Sequence, residues 1–327
     1  MKKLRLGVIG TGLAWDRLHY PALKELSDKY EIVAVCNKAV DKAQGFAQGI
    51  NLSQENIYGD YNEMLKRDDI DVVDVLVPIS ENFEVARDVL NAGKNLIAEK
   101  PFAATIEGAK ELIELKNKNN LKVMVAENFR YEDGNRMIKD IISKGKIGEV
   151  AYFVFNTAAN FQKEQYTDSF ASTEWRQHPY FEGGIFLDGG VHDMALMRFL
   201  FGEVEEVNAY ARPQDEDFCK YMNINCIIKF QNSVIGSYNF YSSGGDLQKP
   251  PIGLRIFGTL GEIHLESKDC GVIDVHYKDG KCEKINYMPS RGYYNELLNF
   301  YDGNIICTPE KEVGDIELIF KILGKLK

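Results

Sequence analysis

A chain of 327 residues with a net charge of −10 has length for about two domains. Its sequence pI near 5.2 excludes the broad basic surface that a duplex nucleic-acid binder needs. Hydrophobic residues at 45% and charged residues at 27% mark a globular chain rather than a disordered one, and no apolar run approaches the ~20 residues of a membrane span.

The opening MKKLRLGVIG reads as a first strand rather than a secretory signal, because its apolar run stops at glycines after a few residues. Leu4–Ile9 is that strand, and a helix follows over 13–26, interrupted by Pro21. A second apolar strand over 32–36 leads into a helix over 40–48. Strand 72–77 ends at Pro78, and helix 81–91 is closed by Gly93 as a C-terminal cap. Strand 95–98, helix 105–119 and strand 122–126 complete the series. Nearly continuous apolar strands alternating with helices predict a doubly wound parallel sheet covered on both faces, the Rossmann arrangement of an α/β protein, over residues 1–125.

Beyond residue 126 the pattern changes. A helix over 133–143 precedes longer segments of period two, among them EVAYFVFNTAANF, YMNINCIIKF, SVIGSYNFY and GEIHLES. One helix is embedded near 191–201 and another closes the chain over 315–326. A second, α+β domain with a mostly antiparallel sheet is therefore expected over 126–327. Cysteines 36, 219, 226, 270, 282 and 307 include no Cys-x-x-Cys pair. Reduced thiols, a cytoplasmic location and no metal site are the expectation.

Gly10 and Gly12 in VIGTGLAW stand between the first strand and the first helix. Glycines there let the backbone approach a pyrophosphate seated on the helix N-terminus, so Gly10, Thr11, Gly12 and Leu13 are the candidate cofactor turn. Trp15 occupies the place of the third glycine of that pattern, which serves helix–sheet packing rather than phosphate contact. The second strand ends in Asn37 and Lys38, with Lys42 a turn later. A carboxylate is expected at that place for an NAD ribose. Its absence, with two lysines nearby, inclines the expected NAD(P) cofactor toward NADP.

Glu99-Lys100-Pro101 lies at the carboxyl end of a parallel strand, the edge where ligands bind in such sheets. GGIFLDGGVHDMALMRFLFGE sets Asp188 four residues before His192, a spacing that on a helix entry puts both side chains on one face. Capping for Asp188 and ordinary core packing for His192 are the alternatives.

These segments together resemble the glucose-fructose oxidoreductase/inositol dehydrogenase (Gfo/Idh/MocA) family. The resemblance runs through GVIGTG, His19-x-Pro-Ala-Leu, Glu99-Lys100-Pro101, Asn-Phe-Arg-Tyr at 128–131, Trp175-Arg176, the Asp188/His192 pair and YYNELLNFYDG near the end. It implies a second domain built on a large open sheet used for oligomerisation, so a homodimer or homotetramer is expected. It also implies that Lys100 adjoins the nicotinamide and the reacting hydroxyl, that His192 is the acid/base, and that Asp188 orients the histidine or binds substrate. Glu99, Lys100 and Asn128 join the expected cofactor contacts, and Arg176 joins Lys100, Asp188 and His192 as a substrate contact. One departure is visible: where the family often carries an aspartate three residues after the histidine, this chain has Ala195, with Asp193 adjacent instead.

The residue types suit the reaction. A hydroxyl losing a hydride must shed its proton as well, and an imidazole with an unperturbed pKa near ~6.5 accepts one at neutral pH. A lysine cation stabilises the developing alkoxide. The expectation is an NAD(P)-dependent oxidoreductase acting on a small sugar, cyclitol or similar hydroxyl or carbonyl compound, with neither nucleic acid nor membrane as partner. A non-catalytic NAD(P)-sensing regulator on the same fold is the alternative, disfavoured because a sensor has no use for Lys100, Asp188 and His192.

Overall fold

The computed structural model describes residues 2–242 and 252–326. The chain divides into two compact units, Met1–Asn128 with Tyr293–Gly314, and Phe129–Gly292 with Asp315–Lys327. The first division lies within a few residues of the expected boundary at 125/126. A boundary at one point misses the return of residues 293–314 to the first unit, because local periodicity carries no information about which core a distant helix joins.

The first unit holds six strands: β1 (Leu4–Ile9), β2 (Tyr30–Cys36), β3 (Ile57–Tyr58), β4 (Val72–Val75), β5 (Asn95–Glu99) and β6 (Val123–Ala126). They form one sheet in the order β3-β2-β1-β4-β5-β6, and every pairing is parallel. This is the doubly wound order, with its reversal between β1 and β4. Two-residue β3 is too short for periodicity to reveal. Strands β4 and β6 are buried at every position, as a sheet covered on both faces requires. The first helical stretch contains a π-type turn at Trp15–His19, then an α-helix at Tyr20–Glu25 with Pro21 in its first turn. Pro21 therefore starts that α-helix rather than breaking one, since its missing N–H falls where none is needed.

The second unit holds β7 (Val150–Ala158), β8 (Val204–Pro213), β9 (Tyr221–Phe230), β10 (Ile235–Tyr241), β11 (Gly253–Gly258), β12 (Gly261–Leu265), β13 (Val272–Tyr277) and β14 (Cys282–Asn286). Their order is β14-β13-β12-β11-β7-β10-β9-β8. Only β7 and β10 pair in parallel; the other neighbours are antiparallel. The helix Gly190–Phe201 packs on one face, where Phe201 stacks on Phe153 at 4.4 Å between ring centroids. The opposite face presents Tyr152, Tyr210, Ile227 and Ile235 to solvent. Between them runs a cross-strand ladder in which Asn223 donates to Asn225, Asn225 to Asn239 and Asn239 to Asn156. Among the described residues no helix is long and apolar enough to cross a membrane.

A buried cluster of acids gathers in the first unit. His19, with no exposed surface, faces Asp74 through Nδ1 at 2.9 Å and Glu99 through Nε2 at 3.1 Å. Burial opposes the imidazolium, but the charge and hydrogen bonds of Asp74 and Glu99 outweigh it and hold its pKa well above the ordinary value. The returning helix Gly292–Asp302 adds Tyr293, its ring 5.7 Å from that of His19, and the fully buried Glu296. It is anchored by Tyr30, whose hydroxyl donates to the Leu297 carbonyl at 2.6 Å. Among the described residues neither carboxyl oxygen of Glu296 has a hydrogen-bond partner. Burial pushes its pKa well up; His19 opposes this, while Glu99, Glu127 and Asp74 reinforce it. An unpaired ionised carboxylate in this setting costs several kcal/mol or more, so Glu296 carries its proton in the folded state.

Both raised groups act in one direction on stability. The folded state holds protons that the unfolded chain releases above the ordinary carboxylate range for Glu296 and above the ordinary imidazole range for His19, so stability falls as pH rises. The melting temperature should therefore decline between about pH 6 and pH 9. The decline should be shallower in Glu296→Gln, which has no proton to lose. Parallel melting curves for the two proteins across that range would show that Glu296 is ionised when folded.

Candidate active site

Parallel strands deliver their carboxyl ends to a single sheet edge, and three candidate segments of the first unit meet there. After β1 the backbone turns at Gly10 with φ +97, and a Cβ at Gly10 would lie 2.2 Å from the Leu76 carbonyl oxygen. Only glycine fits. A Cβ on Gly12 would meet no atom within 4 Å, so its hydrogen faces open space of the kind a pyrophosphate approaching the turn requires. Trp15 fills the third glycine's place without opening the packing: it is fully buried, stacked on Tyr20 and edge-on to Phe46. Half-buried Leu13 begins the helix.

At the end of β2, the Asn37 side-chain amide donates to Thr11 Oγ1 at 2.9 Å and its oxygen accepts from Ala39 N. The glycine turn and the β2 terminus are thereby joined. Lys38 pairs with Glu81 at 2.7 Å on the surface, with the lysine 75% exposed. A pair so exposed contributes roughly 0–1 kcal/mol, little enough for a stronger anion to displace Glu81. Lys42 is exposed a turn further on. These residues have the glycine conformation, open approach and cationic rim that a dinucleotide needs.

After β5, Glu99 is buried and Lys100 half-buried. Glu99 Oε2 accepts from the Lys100 backbone N–H at 3.1 Å while Oε1 faces His19. Asn82, on the helix Ile79–Asn91 that follows β4, donates from its amide nitrogen to the carbonyls of Glu99 at 2.8 Å and Pro101 at 2.9 Å. Asn128 is buried on a short turn after β6. Sequence reasoning missed Asn82 and Asp74. The available signal was a polar residue placed among apolar neighbours in VVDVLV and in the first turn of the next helix.

The remaining candidates lie in the second unit. Asp188 ends a four-residue helical turn, Ile185–Asp188, and the helix carrying His192 begins afresh at Gly190. The expected helix entry over 188–192 is in two pieces parted at Gly189, whose own backbone stays in the right-handed helical region. The N-cap position of the helix carrying His192 is Gly189 rather than Asp188. Its Oδ2 accepts from Arg176 Nε at 2.6 Å. The Arg176 guanidinium lies 4.0 Å over the Trp175 ring and donates, at 3.4 Å, toward the Phe170 carbonyl. Arg176 and Asp188 are thus one ion-paired unit, a link that no spacing rule reveals across twelve residues.

The half-buried His192 ring is not packed anonymously in the core. It stacks on Phe129 at 4.6 Å with 17° between planes, and the Lys268 ammonium lies 5.3 Å from the centre of that same Phe129 ring. The next residue, Asp193, accepts from Tyr238 Oη at 2.7 Å and Thr157 Oγ1 at 3.0 Å. Asp193 therefore ties the helix to β7 and β10, whichever family position it stands for. At the other end of the helix, Arg198 joins Arg130 on buried Asp315. Among the described residues no group of three His, Cys, Asp or Glu side chains is placed to hold a metal ion.

Comparison with known proteins agrees with this architecture. Residues 4–127 match the oxidoreductase family with an NAD-binding Rossmann fold, and residues 135–264 match the GFO/IDH/MocA C-terminal domain. The chain is 31% identical over 312 residues to an uncharacterized protein of Saccharomyces cerevisiae, covering 92% of this chain and 88% of that one. It is 29% identical over 284 residues to the D-xylose 1-dehydrogenase (NADP(+)) of Hypocrea jecorina, covering 80% and 72% respectively. A crystal structure of an oxidoreductase from Thermotoga maritima superposes with a TM-score of 0.87 at 29% identity, over 98% of this chain and 96% of that one. With both domain descriptions matched in order and the sheet reversal and glycine turn in place, the chain belongs to the Gfo/Idh/MocA family of NAD(P)-dependent oxidoreductases.

Proposed function

We propose that this protein transfers a hydride between NAD(P), preferentially NADP, and a hydroxyl or carbonyl carbon of a small sugar or cyclitol. The observation that carries the reading is the carboxyl edge of the parallel sheet, where the open glycine turn, Asn37 and Lys100 all emerge. The sugar assignment takes its support from the D-xylose 1-dehydrogenase relative. Bound nicotinamide supplies the hydride acceptor or donor. In the oxidative direction His192 accepts the hydroxyl proton as the carbinol C–H bond breaks, and the Lys100 ammonium stabilises the oxygen while negative charge builds on it. Asp188 and Arg176, neutralised by each other, supply substrate hydrogen-bonding groups without a net charge.

The preference for NADP rests on Asn37 in place of a carboxylate and on Lys38, held by a weak exposed pair that a 2′-phosphate can outcompete. The open face of the second sheet, with Tyr152, Tyr210, Ile227 and Ile235 exposed, is where a second copy would dock to give a homodimer or homotetramer. The reading includes a cytoplasmic home, supported by six cysteines that form no disulfide among the described residues.

Four outcomes follow from this reading. Fluorescence titration should give NADPH binding at least as tight as NADH, and Asn37→Asp should shift the preference toward NADH; tighter NADH binding by the unmodified protein would refute the assignment. His192→Ala should lower kcat by about 10²–10⁴-fold with nearly unchanged NADPH affinity. Lys100→Ala should cost about 10²–10³-fold, the range for removing one donor to a developing oxyanion. A screen with D-xylose and related polyols supplies the substrate, and full activity in His192→Ala would remove that residue from the chemistry. Sedimentation at micromolar concentration should show no predominant 37.1 kDa species.

A further inference from the structure

The Lys100 backbone is held from both sides by one carboxamide. Asn82 is 1% exposed, and its single amide nitrogen donates to the carbonyl preceding Lys100 and to the carbonyl following it, at 2.8 and 2.9 Å. Two carbonyl acceptors demand two hydrogens, and only the NH2 end of the side chain provides them, so chemistry fixes its orientation. A second tie runs through Glu99. One of its oxygens accepts from the Lys100 N–H, the other faces His19, and His19 reaches Asp74 in the neighbouring strand. All polar main-chain atoms around Lys100 that these bonds engage are thus anchored to the helix after β4, the first helical stretch and β4 itself.

We propose that Asn82 is a positioning residue for Lys100: by bridging the Glu99 and Pro101 carbonyls it sets the direction in which the lysine leaves β5, with the Glu99–His19–Asp74 chain as its second support. This inference rests on the reading of Lys100 as the group that stabilises the reacting oxygen. A group that acts electrostatically must be held within a fraction of an ångström of its working position to be effective. Neither Asn82 bond touches the lysine side chain, so Asn82 acts through the backbone alone.

The test follows Lys100 directly and requires no known substrate. Reductive methylation with formaldehyde and cyanoborohydride is timed on the full chain, and the rate at Lys100 is read by peptide mass against exposed Lys42 and half-buried Lys122. Asn82→Asp keeps the size of the side chain and removes both donors. It should accelerate Lys100 labelling about threefold or more, as expected when a fixed side chain gains rotamer freedom, while the Lys122-to-Lys42 ratio stays constant and reports an intact fold. If Asn82→Asp does not fold, the milder Asn82→Ser decides the question with a rise of about twofold. An unchanged Lys100 rate in whichever variant is folded overturns the proposal. Turnover with NADP+ and D-xylose or another accepted polyol adds a cycle: Asn82→Asp should lower kcat in the native background and have no further effect in Lys100→Ala. An equal loss in both backgrounds would show that Asn82 acts by some other route. Should Lys100→Ala retain full turnover, the catalytic role of Lys100 falls, while the labelling result still judges Asn82 on its own.

Discussion

Buried charge must be compensated where it is buried, and the first unit does so by setting one imidazolium between two acids. His19 is enclosed completely and touches a carboxylate on each of two adjacent parallel strands, Asp74 in β4 and Glu99 in β5. Without the positive ring, two carboxylates would share a region of low dielectric; without the carboxylates, the ring would be neutral. Other features follow from this balance. Glu296 enters the same region with no counter-charge left for it and therefore keeps its proton. Glu99, with one oxygen committed to His19, turns the other to the backbone of Lys100. The electrostatics of the core and the placement of the candidate lysine are the same set of hydrogen bonds.

The second unit solves a similar problem at a helix rather than at strand ends. His192 sits near the start of the helix Gly190–Phe201, which is buried along most of its length. Apolar packing alone tolerates small rotations of such a helix, since many contacts of nearly equal energy replace one another. Directional bonds remove that latitude. Asp193 accepts from hydroxyls on β7 and β10, Arg198 shares Asp315 with Arg130, and Phe129 lies flat against the His192 ring. The aspartate beside the histidine thus serves as a tether to the sheet.

The exposed face of the large sheet differs in character from either core. Its asparagine ladder crosses β9, β10 and β7 in register, flanked by aromatic and aliphatic side chains that remain open to solvent. Side-chain amides paired with one another satisfy their polar atoms without water. The ladder therefore costs less to desolvate than charged pairs on the same sheet, such as Lys229 with Glu205.

Much of the architecture was legible in the residues themselves. Alternation of apolar strands with helices specified a parallel sheet because both of its faces need covering. Period-two segments specified the second sheet because one face is packed and the other is not. The glycine turn was legible because a backbone at φ +97 against the Leu76 carbonyl admits no other residue. The strand-end place of Lys100 was legible too, because the apolar run of β5 stops at Glu99. What sequence spacing did not reveal was the partner of Asp188: Arg176, twelve residues earlier, donates to its carboxylate. The return of residues 293–314 to the first core, the grip of Asn82 on both sides of Lys100, and the enclosure of His19 by two acids were decided only by tertiary structure. Each joins residues from 17 to more than 200 positions apart. Periodicity reports which face of an element is apolar, but the partner of a buried polar group is chosen by the three-dimensional path of the chain.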